Sequence, residues 1–394
     1  MKIKYFILLL CPVAFCYLFS CTKDNDQSIT YNISSTGDTL YICDASLIKE
    51  HRKMELSDWI IDIKIVHLEN EDTALCKPWK IYITDNYIGI MQEAAVFKLF
   101  DHQGKFLCDV GHIGQGPGEY VTLYGAAISE KLNEIYLASF VGTYLYKYDL
   151  KGNFISVIEM ESDLNKPQMY FRGDGNLFLT HLCFVDMSSF QYANINREGK
   201  VDYILPIRHL ALNPRNADGD FCGFNDEVFL YNNITYFTYM TMSRDTLNRV
   251  KSQLGETVPR FTLKNHATDR TYCTYNELSS CFLANVVSYA DVPELSVSDN
   301  IVVDKQSRQS HNLELSNDYM GHLPVSNFPQ ASNGWYYEIF EPLELMELIE
   351  KHLSQNDCSA EDREQLEQLL NTFDEDSNNI LFMGKLKSTK NNSL

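Results

Sequence analysis

The chain has 394 residues, of which 33 are lysine or arginine and 53 are aspartate or glutamate, so its formal net charge is −20. Because nucleic-acid binders need a basic surface to neutralise phosphates, this acidic balance argues against a nucleic-acid partner. Apolar residues make up 45% and charged residues 22%, which is typical of a globular chain and not of a disordered one. The 24 tyrosines and 22 phenylalanines favour strands over helices.

The first twenty residues predict an export signal. Lys2 and Lys4 provide a basic start, and residues 5–19 contain no charge. This apolar stretch is short for a membrane span and has the length of a signal-peptide core. The segment ends Leu18-Phe19-Ser20-Cys21, which resembles the lipobox of bacterial lipoproteins. We therefore expect removal of residues 1–20 and lipidation of Cys21, the alternative being an ordinary secretory signal followed by a buried cysteine.

The segment after Cys21 predicts a flexible tether over residues 21–38. Residues 22–28 are polar, and Lys23-Asp24 followed by Asp26 resembles the export signals that carry some Gram-negative lipoproteins to the outer face of the outer membrane. More than one acyl chain gives stable anchoring. We expect an outer-membrane lipoprotein held by its lipid anchor, either on the cell surface or facing the periplasm.

Three glycines mark an internal repeat. Gly104, Gly152 and Gly199 are spaced by 48 and 47 residues, and each lies in a polar turn between two alternating strands. This period is typical of a four-stranded propeller blade, with the glycine in the turn of the outer hairpin. Weaker copies have turns near residues 255 and 307, and a terminal copy follows. The sequence therefore predicts an all-β fold, a six-bladed β-propeller over residues 39–394.

Two segments complete this predicted fold. Residues 59–68 read as one strand that joins the last blade and closes the ring, which removes open sheet edges. Residues 341–372 have apolar positions at helical spacing, and Ser359 begins a capping-box-like sequence. We predict a helical hairpin inserted in the last blade, where its favoured role is to cover a sheet edge and the alternative is to contact a partner.

The loop at residues 111–120 resembles the GxGPGEY-type loop of six-bladed β-propeller lipoproteins related to NHL-repeat proteins. It contains Gly111, Gly114, Gly116, Pro117 and Gly118, followed by Glu119 and Tyr120. The resemblance covers about residues 40–390, and only this loop is specific to the family. It implies the propeller fold and an envelope location, and it implies little about activity. The helical insert is either a departure from the family pattern or a feature of a subfamily.

The glycines of this loop also need to be distinguished from a dinucleotide-binding fingerprint. That fingerprint requires a helix directly after the glycines. Here Pro117-Gly118 follows, and residues 121–124 are strand-like. We predict a structural crossover between blades and no nucleotide cofactor.

Motifs for metal or nucleophilic chemistry are missing from the sequence. There is no HxH or HExxH pair and no G-x-S-x-G sequence, and the ten histidines are scattered. We therefore assign no metal, no cofactor and no catalytic residue.

Two functions remain open. The favoured one is a binding or scaffold module for a glycan, peptide or protein partner, in a chain expected to be monomeric. Its aromatic surface would come from Trp79, Tyr120 and Tyr170.

The alternative is a lyase or hydrolase at the central channel, with Lys77, Glu119 and Arg172 as polar candidates at the starts of inner strands. Convergent charged side chains would favour the enzyme, whereas aromatic residues without such a cluster would favour the binding module. Glu119 has the alternative role of accepting hydrogen bonds from backbone amides of the glycine-rich loop.

Overall fold

A computed structural model describes most of the chain, from residue 29 to residue 387. The described residues are 29–33, 37, 39–140, 142–172, 174–184, 188–190, 192–204, 230–232, 238–240, 246–250, 257–265, 271–288, 297–325, 330–355 and 358–387. The expected signal peptide, the lipidation site Cys21 and residues 22–28 of the expected tether lie outside these residues.

The first half of the described chain consists of short strands with two 3-10 turns, Ala45–Leu47 and Leu56–Asp58. The strands are β1 (Ile29–Ile33), β2 (Thr39–Asp44), β3 (His51–Glu55), β4 (Ile60–His67), β5 (Pro78–Ile83), β6 (Tyr87–Gln92), β7 (Phe97–Asp101), β8 (Phe106–Val110), β9 (His112–Ile113), β10 (Glu119–Tyr120), β11 (Leu123–Ser129), β12 (Glu134–Ser139), β13 (Tyr144–Tyr148), β14 (Phe154–Glu159), β15 (Gln168–Phe171), β16 (Leu177–Thr180), β17 (Tyr192–Ile195) and β18 (Val201–Ile204).

The second half continues the same pattern and adds two helices before the last strand. Its elements are β19 (Leu230–Asn232), β20 (Thr238–Met240), β21 (Thr246–Val250), β22 (Thr257–Lys264), β23 (Thr271–Glu277), β24 (Cys281–Ser288), β25 (Val297–Asp304), β26 (Ser310–Asn317), β27 (Leu323–Pro324), β28 (Gln330–Ser332), β29 (Trp335–Phe340), α1 (Pro342–Leu353), α2 (Ala360–Leu370) and β30 (Ile380–Leu386).

These strands form the six blades of a β-propeller, which confirms the predicted fold class. Within each blade, neighbouring strands are antiparallel. Blades 1 to 5 are β5–β8, β11–β14, β15–β18, β19–β22 and β23–β26, and blade 6 is β28–β30 with β4. The repeated glycines lie where the sequence placed them, in the turn between the third and fourth strands. Gly104, Gly152 and Gly199 have φ values of +83°, +80° and +79°, a conformation that residues with a Cβ rarely adopt.

Blade 6 is assembled from both ends of the described chain, as predicted. β4 pairs antiparallel with β30, so that Ile60 lies opposite Leu386 and Val66 opposite Leu381. Ile60 and Leu381 are fully buried. Because β4, which precedes blade 1 in the chain, supplies the fourth strand of blade 6, the ring is closed by backbone hydrogen bonds and not by loop contacts alone.

The N-terminal strands add to the outer edges of two other blades. β2 pairs in parallel with β22 of blade 4, and β1 pairs antiparallel with β2. β3 pairs in parallel with β26 of blade 5. This corrects the predicted tether at residues 21–38, since Ile29–Ile33 is a strand. Ile29 is 1% exposed and packs with Cys43 and Phe261, so burial of this side chain stabilises a segment whose polar neighbours suggested a linker.

The helical hairpin occurs between β29 and β30, as predicted. Pro342 is the first residue of α1, and the Ser359 hydroxyl caps α2 by accepting a hydrogen bond from the Asp362 backbone N–H at 3.0 Å. The apolar faces of both helices pack into one core with strands of blades 5 and 6, through Leu345, Ile349, Leu366 and Leu369. Neither of the helices in the described part of the chain is long and apolar enough to cross a membrane.

Candidate functional site

The inner strands of the blades begin at one end of the central channel, which we call the upper face. In an antiparallel blade, the loop entering the first strand and the loop joining the second and third strands lie at the same end. The helical hairpin therefore lies at the upper face, as does the segment before β5. Contacts agree with this placement, since the Asn379 side-chain amide donates to the Cys76 carbonyl at 2.9 Å and the Asn378 amide donates to the Ala74 carbonyl at 3.1 Å.

A cavity of about 200 Å³ lies in the central channel between the inner strands of blades 1, 2, 3 and 6. Amide and aromatic side chains make up much of its lining, and none of its lining residues carries a carboxylate or an imidazole. These residues are Lys80, Ile81, Tyr82, Ala126, Ala127, Ile128, Gln168, Met169, Tyr170, Phe171, Gln330, Ala331, Ser332, Asn333 and Tyr337.

Lys80 is the one charged residue in this lining, and its amine rests on two aromatic rings. Lys80 Nζ lies 3.6 Å from the ring centroid of Tyr124 and 4.6 Å from that of Trp79. It also donates a hydrogen bond to the Tyr124 carbonyl oxygen at 2.8 Å. The rings of Trp79 and Tyr124 meet edge to face with their centroids 5.1 Å apart. The faces of both rings attract a cation, so the ammonium is held in place from two sides.

The electrostatic surroundings of Lys80 are unusual for an acidic protein. Burial and, to a smaller extent, the positive charge of Lys166 together lower the pKa of Lys80 to about 7. Among the residues that the structure describes, no carboxylate oxygen lies within 4.0 Å of the Lys80 amine. The site therefore presents an amine without a neutralising acidic partner, which suits an anionic ligand group.

Three of the six ligand-site residues predicted from sequence lie at or beside this channel. Trp79 is 46% exposed and contacts Lys80 directly. Tyr170 lines the cavity itself. Lys77 is exposed at the upper face just before β5, where its backbone N–H donates to the Gln92 side-chain oxygen at 2.8 Å. The structure thus places Tyr170 in the channel lining and Trp79 against Lys80 of that lining, whereas their part in binding stays a prediction.

Arg172 lies at the opposite end of blade 3, which corrects its predicted position. β15 ends at Phe171, so Arg172 follows the inner strand instead of starting it. Its guanidinium contacts Asp174 Oδ2 and Asn194 Oδ1, each at 3.4 Å. The prediction placed an inner strand after Arg172, whereas the inner strand β15 precedes it.

Tyr120 provides no stacking surface, since it is 1% exposed. Its hydroxyl donates to the Val110 carbonyl and accepts from the Phe97 backbone N–H at 2.9 Å, which fixes the glycine-rich loop to blade 1. Burial raises the pKa of this hydroxyl well above its ordinary value. Tyr120 is thus an anchor of the loop and not a ligand contact.

Glu119 accepts a hydrogen bond from the Gly116 backbone N–H at 2.8 Å, which is the structural role weighed for it from the sequence. The same carboxylate occupies the space that a Cβ on Gly114 would need. Positive φ values occur at Gly111 (+72°) and Gly118 (+74°). Gly114 and Gly116 are thus constrained by the Glu119 carboxylate, whereas Gly111 and Gly118 are constrained by backbone conformation.

The glycine-rich loop is a crossover from β8 to β11, as predicted. It is followed by strand β11 and not by a helix, so it has no helix N-terminus for a pyrophosphate.

A cavity of about 830 Å³ lies between this loop and the outer strands of blade 2. Its lining is mostly apolar and includes Pro117, Phe140, Tyr144 and Phe154. No local sequence pattern predicts this groove, because its walls come from four separate segments.

Lys80 was also missed. The available signal was one basic residue inside the apolar strand Pro78–Ile83, next to Trp79. Over the described residues, no group of three or more His, Cys, Asp or Glu side chains is arranged to hold a metal ion.

The fold and this site define a six-bladed β-propeller with an aromatic-flanked amine in its central channel. The chain belongs to the DUF4934 family, a domain of unknown function, whose sequence profile matches residues 40–385.

Two solved structures from Bacteroides species are similar to this chain. One is a protein from Bacteroides fragilis NCTC 9343 described as exported, with 17% identity, a TM-score of 0.62, and coverage of 88% of this chain and 100% of that chain. The other is a member of the DUF4221 family from Bacteroides vulgatus ATCC 8482, with 12% identity, a TM-score of 0.50, and coverage of 84% and 98%. At these identities the likeness shows the fold alone. No curated protein matches the chain.

Proposed function

We propose that this protein is a lipid-anchored binding module of the cell envelope that holds an acidic glycan at the mouth of its channel. The observation that carries this proposal is Lys80, which lines a cavity without a carboxylate and whose amine lies over the adjoining Trp79 and Tyr124 rings. An ammonium in this setting pairs with a ligand carboxylate. The formal charge of −20 means that the protein as a whole repels anions. The Lys80 site differs from the rest of the chain in favouring an anionic group.

The ligand class follows from the chemistry beside the amine. The exposed ring of Trp79 offers a flat apolar surface for the C–H face of a sugar ring, and the side-chain amides of Gln168 and Gln330 line the cavity. The cavity volume of about 200 Å³ is below the roughly 300–1,000 Å³ of drug-sized sites. It therefore suits one sugar unit of a longer chain. A uronate combines the carboxylate, the apolar ring face and the hydroxyl groups that these residues would contact.

Uronate binding is tested by following tryptophan fluorescence while oligogalacturonates are added. Trp59 and Trp335 are 6% and 5% exposed, so a ligand at the channel changes chiefly the signal of Trp79. Lys80→Met should weaken binding by tenfold or more, since a hydrogen bond to a charged group contributes about 1.5–3 kcal/mol. Lys131→Met is the matched control, because Lys131 is exposed in the β11–β12 turn at the other end of the channel. It should leave the affinity unchanged.

The pH dependence of this binding has a definite sign. Because the pKa of Lys80 is lowered to about 7, the free protein loses the positive charge as pH rises above 7. Affinity should fall between pH 7 and pH 9, and Lys80→Arg, which stays charged, should retain its affinity at pH 9. Equal binding of methyl-esterified, neutral oligogalacturonates would contradict the proposal. If a glutamate-rich peptide binds more strongly than the oligogalacturonates, the ligand is an acidic peptide and the proposal of a glycan ligand is wrong.

The membrane anchor is proposed from the sequence Leu18-Phe19-Ser20-Cys21 and its charge-free core. Cys21→Ser should prevent acylation, so the protein should move from the membrane fraction to the soluble fraction of cells. Mass spectrometry of the wild type should detect an acylated N-terminal cysteine. A wild-type protein with a free Cys21 thiol and unchanged membrane fractionation would overturn the anchor. The kinship with NHL-related lipoproteins and the outer-membrane location stay predictions.

A lyase or hydrolase acting at the channel is a second candidate, and the lowered pKa of Lys80 is the observation that favours it. An amine with a pKa of about 7 is partly neutral at neutral pH and can act as a base or nucleophile. A lyase or hydrolase would also need an acid partner, and the described channel-lining residues include tyrosines but no carboxylate or imidazole. Shortened oligogalacturonate products that disappear in Lys80→Met would establish the enzyme.

A further inference from the structure

The groove of about 830 Å³ on blade 2 opens at the same end of the propeller as the channel mouth. Two of the segments that line it are the residues just before β11 and the loop between β12 and β13. In an antiparallel blade, the segment entering the first strand and the loop joining the second and third strands both lie at the upper face. A ligand at the channel mouth and a ligand in the groove are therefore bound on one side of the protein.

Aromatic rings connect the groove to the Lys80 site. The Tyr124 ring, which lies beside the Lys80 amine, has its centroid 5.5 Å from that of Phe140. Phe140 in turn lines the groove. Tyr144 and Tyr146 line it as well, and their ring centroids are 6.4 Å apart. Aromatic surface therefore extends from the Lys80 amine to the outer strands of blade 2.

Backbone hydrogen bonds hold the walls of this groove in place. The Phe140 N–H donates to the Thr122 carbonyl at 3.0 Å, and the Leu164 N–H donates to the Gly142 carbonyl at 2.8 Å. These bonds tie the β12–β13 loop to the segment before β11 and to the crossover that leaves blade 2. On the facing wall, the Tyr120 hydroxyl fixes the glycine-rich loop. A preformed groove of this kind loses little conformational entropy when a ligand binds.

The lining of the groove is apolar and nearly uncharged. Tyr144, Phe154 and Val121 are 44%, 41% and 54% exposed, so their apolar surface is available to a ligand. Glu119 is the one charged residue among the described lining residues, and its carboxylate already accepts a hydrogen bond from the Gly116 N–H. Since none of these lining residues is basic, the groove offers no counter-ion to a carboxylate. It suits an uncharged group that has an apolar face.

We propose that the acidic glycan bound at Lys80 continues into the blade 2 groove, where uncharged sugar units stack on Phe140 and Tyr144. This inference rests on the proposed function, since Lys80 binds the carboxylate that places the glycan beside the groove. The groove volume of about 830 Å³ lies within the roughly 300–1,000 Å³ of drug-sized sites, so it has room for more than one sugar unit. The ligand class is therefore a glycan in which a uronate is followed by neutral sugars, and not a polymer charged at every unit.

The dependence of affinity on ligand length tests this path. Rhamnogalacturonan oligosaccharides alternate galacturonate with the neutral sugar rhamnose. A disaccharide therefore carries the carboxylate for Lys80, and a hexasaccharide also reaches the groove. In calorimetric titrations of the wild type, the hexasaccharide should bind about tenfold more tightly than the disaccharide, because it adds stacking on aromatic rings. Hexagalacturonate should gain less than about threefold over digalacturonate, since its added units are charged.

Removing an aromatic ring from the groove should cancel the gain from length. In Tyr144→Ala the hexasaccharide should bind no more than about threefold more tightly than the disaccharide, whereas Tyr144→Phe keeps the ring and should keep the gain. Leu107→Ala is the matched control, because Leu107 is 41% exposed on β8 and does not line the groove. Gln115 is exposed in the lining. Gln115→Lys adds a cation there, so it should strengthen binding of hexagalacturonate more than binding of the rhamnogalacturonan hexasaccharide.

The same titrations separate failure of this inference from failure of the proposed function. If the wild type binds both rhamnogalacturonan ligands equally and Lys80→Met weakens both, the glycan does not enter the groove and the Lys80 site stands. A gain from length that persists in Tyr144→Ala, or an equal gain for hexagalacturonate, also overturns the inference. If neither the rhamnogalacturonan ligands nor the oligogalacturonates bind, the proposed function is wrong and this inference is wrong with it.

Discussion

Ending the chain after Asn379 should abolish folding of the whole propeller, and not only of its last blade. This truncation removes β30, which lies between β29 and β4 and is the only link between the two ends of the ring in blade 6 as described. Four consecutive residues of β30, Ile380 to Met383, are fully buried. Their loss leaves β4 without a partner and opens blade 6, and each blade needs its neighbours to bury its faces.

Circular dichroism during heating measures this effect. The wild type should show one cooperative transition, and the chain ending at Asn379 should show none. A chain ending at Lys387 is the control, since it retains all of β30. A cooperative transition within a few degrees of the wild type in the shorter chain would show that the other blades fold without closure.

Removing the carboxylate of Glu277 should have the largest effect of any single substitution at a charged residue. Glu277 is 3% exposed, and its Oε1 lies 2.8 Å from both Arg260 NH2 and Lys305 Nζ. Arg260 is in β22 and also donates to the Thr39 carbonyl at 3.0 Å. The ion-paired side chains of Glu277, Arg260 and Lys305 therefore connect blade 4, blade 5 and the added strand β2. Glu277→Ala leaves two buried cations without their anion, which should cost about 3–5 kcal/mol.

The pH dependence of stability gives an independent check on Glu277. Burial alone would raise its pKa, but Lys305 and Arg260 outweigh burial and hold the pKa below its usual value of 4.5. The unfolded chain therefore binds this proton more tightly than the folded chain. The stabilisation is present above about pH 4.5 and is lost as pH falls through the lower folded pKa. Glu277→Ala should lack this contribution at every pH.

Guanidinium unfolding at pH 7 and at pH 4 measures both effects. Glu314→Ala is the matched control, since the Glu314 side chain is 52% exposed and pairs with Lys53 at 3.9 Å. It should change the free energy of unfolding by less than about 1 kcal/mol. Equal losses in the two variants at pH 7 would show that the buried group contributes no more than a surface pair.

Local patterns were enough to predict the elements that repeat or stand out along the chain. The spacing of Gly104, Gly152 and Gly199 predicted the blades, because a tight outer hairpin needs a positive φ at one position of each turn. The helical hairpin was predicted for a similar reason, since helical spacing and an N-cap are properties of neighbouring residues. The closing strand β4 was found because its apolar run needs a sheet to cover it.

The corrections have a common origin in contacts between distant residues. Ile29–Ile33 was placed in a tether because its neighbours are polar, and only pairing with β2, which itself pairs with β22, reveals it as a strand. Tyr120 was predicted to be a stacking residue because it was expected near the top of a blade, at the entry to an inner strand. Its burial depends on Val110 and Phe97, which another blade supplies. Arg172 was placed at the start of an inner strand, whereas it follows the inner strand β15. The turn residues after it mark a hairpin, but which strand of the hairpin is the inner one depends on how the blade packs in the ring.

The fold class, the number of blades, the closing strand and the helical insert are readable in the amino-acid sequence, because each depends on periodicity, turn chemistry or capping within a short segment. Which side chains contact each other depends on the packing of distant strands. Lys80 and Trp79 are adjacent in the chain, yet Tyr124, whose ring and carbonyl hold the amine, is 44 residues away on the next blade. The three residues form one site because ring closure places the inner strands of neighbouring blades side by side. A local sequence pattern does not predict that Tyr124 lies close to Lys80 and Trp79.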